Sequence, residues 1–209
     1  MGLTPQLSDG LHHFSAGGLS DGIVVVVDDE SGTYWNTFTG EAMAGARVGE
    51  TLATFPIEVT TAAAASRIEP GLEVALSDPG IAGTLFGAFT TTALDGDDPW
   101  LPPQFGRTIL DPDARLPAMD EGLGVVIDGE ARFYPLRALA AGRGDLLAAT
   151  PLSVRIDPAD GIPEARMGDG GRPFQIFTRW YAFSASFPDC SIGEMQSVPS
   201  ALAASVFRD

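Results

Sequence analysis

Apolar positions along the chain come in short runs separated by Gly, Pro, Asp and Ser, which is the spacing of strands and turns rather than of long helices. "LHHFSAGG" and "GIVVVVDD" read as two strands joined by a Gly-rich turn, and the unbroken run at 23–27 predicts a strand buried on both faces. "DDESG" turns the chain and "TYWNTF" returns it. Residues 23–27 are therefore expected to be a central strand paired with 33–38 across Ser31 and Gly32, where glycine takes a positive φ without a Cβ penalty. "TLATFPI" is a further strand. "TTAAAASRIEPG" carries a Thr cap, an alanine run and a Pro-Gly stop, which specify a short helix, and "LEVALS" is another strand.

The second half follows the same logic. "LGVVIDGEARFYPL" is a hairpin turning at Asp128 and Gly129, "LRALAAG" is a helical turn or two, and "LSVRID" is a strand. "FTRWYAFSASFPDC" reads as a helix capped by Thr178, with Trp180, Phe183, Ser184 and Phe187 on one face and Pro188 as its stop. Between the halves, residues 78–122 lose all periodicity, yet Trp100, Phe105 and Ile109 predict that this segment packs along the body. The expected fold is α+β and mostly β, with a mixed or antiparallel sheet and a few short helices. It forms a single domain over 1–209, with two similar halves, 1–77 and 123–209, joined by the irregular segment 78–122.

Composition narrows the function classes. A chain of 209 residues can bury a sizeable core without disulfides or metal. Its 28 acidic and 12 basic residues give a formal charge of -16, and every basic residue is Arg. Such a surface repels phosphate backbones and anionic lipids, so nucleic acid is not an expected partner. The N-terminal residues lack a charged and apolar leader pattern, and no apolar run is long enough to span a bilayer, so the expectation is a soluble, cytoplasmic protein without membrane insertion. Cys190 is the single cysteine, which excludes an intramolecular disulfide and a Cys-rich zinc site. The sequence holds no Gly-rich phosphate loop, Gly-x-Ser-x-Gly elbow or His-Glu-x-x-His helix.

The stretches "DGIVVVVDDESGTYWNTFTGEAMAG", "LATFPIEVTTAAAA", "LGVVIDGEARFYPLRAL" and "QIFTRWYAFSASFPDC" occur in an order that resembles the prokaryotic proteins grouped as domain-of-unknown-function family 3179, over most of the chain from Leu11 to Cys190. The resemblance implies a Cys-x-x-Cys-like pair, with selenocysteine in some members, just before the "HHFSAGG" strand. It therefore implies an oxidoreductase of thiol or selenol type whose N-terminal redox segment this chain lacks. A start displaced by a misread selenocysteine codon is the corresponding expectation for Met1. The resemblance also implies histidines where this chain has Thr37 and Ala44, so that of Asn36, Thr37, Glu41 and Ala44 only Glu41 keeps an ionisable side chain.

Beside that reading stand the residues themselves. His12 and His13, as consecutive strand residues, should point to opposite faces and not share a metal, and no metal or cofactor is assigned. Glu41 and His13 are candidate proton-transfer groups and Cys190 a candidate thiol nucleophile. His12, Tyr34, Trp35 and Arg179 are candidate walls of a pocket for a small-molecule substrate. Arg132 and Arg179 can clamp a carboxylate, although an internal Asp or Glu is the expected partner in so acidic a chain. The alternative is a non-catalytic ligand- or partner-binding scaffold, and neither reading sets an oligomeric state.

Overall fold

The computed structural model describes residues 2–73, 100–139 and 142–193. The first part is built from β1 (Gly2–Leu3), β2 (Gln6–Leu7), β3 (Gly10–Leu11), β4 (Phe14–Ser20), β5 (Ile23–Asp28), β6 (Tyr34–Asn36), β7 (Ala42–Ala44) and β8 (Thr54–Phe55). The strands β4 to β7 form an antiparallel meander in sequence order, while β2 pairs with β3 and β1 with β8. β5 lies between β4 and β6, with Val25 opposite Asn36, Val26 opposite Trp35 and Val27 opposite Tyr34, as the valine run and the Gly32 turn predict. Gly32 holds φ 66°. The expectation of burial on both faces holds for β5 only in part: Ile23 and Val25 are buried on one face and Val26 packs with Trp35 on the other, but Val24 on that second face is 47% exposed, because the cover there does not reach it. The turn from β4 into β5 is Asp21-Gly22, both at positive φ, the same two-residue device as Asp128-Gly129.

Residues 12 and 13 correct a second expectation. They are not strand residues; they connect β3 to β4, and the ladder begins only at Phe14 opposite Asp28. A bulge between Ala16 and Gly18 shifts the register by one residue, and that shift decides what faces His12.

The second part contains β9 (Glu121–Ile127), β10 (Glu130–Pro135), a 3-10 turn (Leu136–Ala138), β11 (Arg143–Leu147), β12 (Thr150–Ile156), β13 (Pro163–Met167), β14 (Phe174–Arg179) and β15 (Ser191–Ile192). Asp128 and Gly129 turn the β9–β10 hairpin at φ 49° and 83°, as read from the sequence. One sheet runs β14-β9-β10-β15, with β15 parallel to β10, and a second runs β11-β12-β13. β9 is the strand buried on both faces. Leu123, Val125 and Ile127 pack with Leu152, Val154 and Ala165 of the second sheet, and Val126 on the opposite face packs near Phe133, Trp180 and Phe183. Gly124 permits this closeness, since a Cβ there would lie 2.0 Å from the Phe183 ring. The two halves share a hairpin start, but the first continues as a meander whereas the second splits into two packed sheets.

Three helices complete the described residues. α1 (Ala62–Ile68) is capped by Thr61, whose side chain accepts from the Ala64 N–H, as the sequence predicts. α2 (Pro103–Gly106) is a single turn within the irregular segment. α3 (Trp180–Ser186) starts later than the Thr178 cap predicts: Thr178 stays in β14 opposite Gly122, and the first N–H groups of α3 donate to the carbonyls of Asp120 and Ala118. Tertiary partners replace the local cap. The inward face is as expected, with Trp180 and Phe183 wholly buried and the Trp180 indole donating to the Asp113 carbonyl at 3.0 Å. "TLATFPI" supplies only the two strand residues of β8, Leu72 and Glu73 are not in a strand, and the rest of "LEVALS" lies outside the described residues, as do residues 78–99. From 100 to 120 the segment does pack on the body: Thr108 accepts from Asp21 and Gly22, and Ile109 lies against Gly22. Glu121 and Gly122, expected in the irregular segment, begin β9 because they pair with Arg179 and Thr178.

Candidate functional site

The β4–β5 hairpin returns the chain so that the connection carrying His12 and His13 meets the acidic turn after β5. Asp28 is the last residue of β5 and is wholly buried. Its carboxylate organises that turn, accepting from the Glu30 N–H at 3.0 Å, the Ser31 N–H at 3.3 Å and the Ser31 hydroxyl at 2.6 Å. Such an Asx arrangement uses the short Asp side chain to satisfy backbone donors that no strand partner reaches.

His12 is 7% exposed, and both of its ring nitrogens face carboxylates: Nδ1 lies 2.9 Å from Asp28 Oδ1 and 3.7 Å from Glu30 Oε2, and Nε2 lies 3.0 Å from Asp9 Oδ1. Asp9 comes from the β2–β3 turn. Arg47 pairs with Asp9 and with Glu50 at 3.1 Å, and its Nε lies 3.7 Å from Asp28 Oδ2. His13 lies outside this core, 77% exposed at its side chain. Its backbone N–H and Nδ1 both bond Glu30, at 2.9 and 2.7 Å, so Glu30 stands between the two histidines.

The electrostatics follow from the contacts. The Asp28 bond, with help from Asp9 and against the burial of the ring, raises the His12 pKa above its ordinary value. Burial alone would raise the Asp28 carboxyl, but the bonds from Ser31 and His12 outweigh it and hold the group far below the usual carboxylate range. Glu30 is lowered chiefly by its bonds to His13, and His13 is raised by the same partner. One donor atom each from His12, Asp28 and Glu30 lies within 4.8 Å of the others. With Asp28 at Nδ1 and Asp9 at Nε2, both ring nitrogens are placed to donate, the arrangement of a protonated imidazolium.

Of the residues singled out from sequence, His12 and His13 are brought together. Glu30 reaches both rings, but only His12 lies in the cluster with Asp28 and Glu30, while His13 points out to solvent. Trp35 lies in a small core with Ala42 and Leu52, edge-on to Phe14, while Tyr34 is 41% exposed on the strand's other face. Glu41 is exposed, forms a bridge with Thr51 and accepts from the Thr39 hydroxyl at 3.3 Å, a loop-anchoring role. Arg179 donates to the Met119 carbonyl and pairs with Glu121, and Arg132 pairs with Asp145, so both find the internal partners expected of them. Cys190 sits at 2% exposure in the separate core of Phe133, Trp180 and Phe183; burial raises its thiol pKa, and nearby Arg115 only partly opposes this.

Sequence reasoning missed Asp9, Asp28, Glu30 and Arg47. The available signal was the pairing of "HH" with "DDE" across a hairpin whose ends both show turn chemistry. Among the described residues, no helix is long and apolar enough to cross a membrane. No family model matches the chain, and neither a curated protein nor a solved structure does.

Proposed function

We propose that this is a ligand-binding domain that holds a divalent transition-metal cation at His12, Asp28 and Glu30, rather than a thiol or selenol oxidoreductase. The observation that carries the reading is the convergence of two carboxylate oxygens on one imidazole nitrogen, at 2.9 and 3.7 Å. Metal–ligand bonds of about 2.0–2.2 Å give cis ligand–ligand edges of roughly 2.9–3.6 Å in octahedral and tetrahedral shells. The 2.9 Å edge falls in that range and the 3.7 Å edge lies just above it, so a cation that replaces the His12 Nδ1 proton calls for a small inward movement of the Glu30 side chain. One imidazole with two carboxylates suits zinc- or manganese-class ions better than calcium, which takes an all-oxygen shell. Glu30 is the accessible member, with a side chain 40% exposed, and provides the entry side. The placement of Cys190 in the cluster of Phe133, Trp180 and Phe183, where burial raises its pKa, supports the binding reading over the redox one.

Isothermal titration of zinc and manganese chlorides into the protein tests this. Binding of one ion per chain is expected, lost in His12→Ala, weakened in Glu30→Gln and unchanged in Cys190→Ser. An absence of binding, or binding that survives His12→Ala and disappears in Cys190→Ser, contradicts it.

A further inference from the structure

The cation site has a second layer, carried by the β2–β3 turn. His12 presents two nitrogens, and a metal can use Nδ1 only when the ring proton resides on Nε2. Asp9 Oδ1 lies 3.0 Å from Nε2, on the side of the ring away from Asp28 and Glu30. Its other oxygen is taken by Arg47, which also bonds Glu50, so the Asp9 carboxylate is held in place from behind. The order Arg47, Asp9, His12, ligand cluster has the form of a carboxylate that accepts the far N–H of a metal-ligating imidazole, fixing its tautomer and ring angle and raising its basicity.

We propose that Asp9 is the positioning residue of the cation site. Held by Arg47, it keeps the His12 proton on Nε2 and aims Nδ1 at the space between Asp28 and Glu30. The inference rests on the cation-binding reading above. It predicts that the N-terminal hairpin, which contributes no ligand to the ion, sets the affinity. Arg47 acts by holding Asp9 in place; its charge works the other way, since it partly neutralises Asp9 and its Nε lies 3.7 Å from Asp28.

Zinc affinity and the ring NMR spectrum of His12 are measured together on the full chain as wild type, Asp9→Ala and Asp9→Asn. Asp9 is 54% exposed at its side chain, and circular dichroism verifies that both variants keep the fold. In the zinc-loaded wild type, the His12 Nε2–H is expected as a downfield, slowly exchanging proton with the nitrogen shifts of an Nδ1-bound ring. Asp9→Ala is expected to lose affinity by roughly 10- to 100-fold and to exchange that proton rapidly with water. Asp9→Asn, whose amide oxygen still accepts the Nε2–H, is expected to keep the slow proton and recover most of the affinity. Zinc binding in Asp9→Ala equal to wild type, with an unchanged Nε2–H, overturns the positioning role alone. Failure of the wild type itself to bind zinc overturns the cation-binding reading and this inference with it.

Discussion

The two ends of the molecule are held together by different means. In the C-terminal part, Leu123, Val125, Phe133, Tyr134, Trp180 and Phe183 are almost fully buried, and β9 is covered on one side by a sheet and on the other by α3. In the N-terminal part, the apolar cluster is small, with Trp35, Ala42 and Leu52 buried in it and Ile23 and Val25 buried outside it, and the fully buried neighbours of the β5 turn are polar, Asp28 and Thr33. Apolar burial is non-directional and insensitive to pH, whereas a buried carboxylate and imidazole are stable only with their partners and protons in place. Charged groups kept inside the thinner half make that half responsive to conditions that leave the other unchanged, and they are the groups on which the proposed cation site rests.

The largest effect that separates the halves is expected in α3. Trp180→Ala removes a wholly buried indole that packs edge-on against Phe133 at 5.2 Å, and should cost about 3–5 kcal/mol in chemical denaturation. An unchanged midpoint would show that this core does not carry the stability of the C-terminal part. Asp28→Asn keeps the shape but removes the charge that accepts from Ser31 and His12, and should cost about 1.5–3 kcal/mol.

Asp28 and His12 also give the N-terminal part a pH profile. His12, raised from 6.5, contributes stability that is complete below its unfolded value and is lost as pH rises through the higher folded one. Asp28, lowered from 3.8, contributes stability that is present above its unfolded value and is lost as pH falls through the lower folded one. In the metal-free protein, hydrogen exchange corrected for intrinsic rates should therefore show β4–β6 best protected between about 3.8 and 6.5 and loosening on the alkaline side, with β9–β10 flat over the same range. Equal pH dependence in both sheets would erase the contrast. The smallest effect concerns the β11–β12 turn, where Ala148 and Ala149 both hold positive φ, at 47° and 60°. Ala149→Gly should stabilise by about 1 kcal/mol through relief of the left-handed conformation, read as a higher denaturation midpoint.

How much of this was legible in the sequence depends on whether the cause was local. The Asp128-Gly129 turn, the Thr61 cap and the inward face of Trp180 and Phe183 follow from chemistry within a few residues, and each stands where the sequence puts it. The start of α3 was misread because carbonyls of Asp120 and Ala118, distant in sequence, take the role assigned to Thr178. The valine run suggests burial on two faces, yet covering a face is a property of the sheet's neighbours; β9 has them along its length, whereas on the second face of β5 they reach Val26 but not Val24. The site was half legible. His12 and His13 attract notice as the only histidines, but what they face depends on the bulge between Ala16 and Gly18, and one residue of register separates a strand that presents Asp28 beside His12 from one that does not.

The central claim concerns which atoms meet the cation, and X-ray absorption at the zinc edge of the loaded protein reads them directly. The account predicts a first shell of nitrogen and oxygen at about 2.0–2.2 Å with the outer-shell scattering of a single imidazole and no sulfur, and loss of that imidazole signature in His12→Ala. A sulfur scatterer at about 2.3 Å would place the ion at Cys190 and contradict it, as would an imidazole signal that persists without His12.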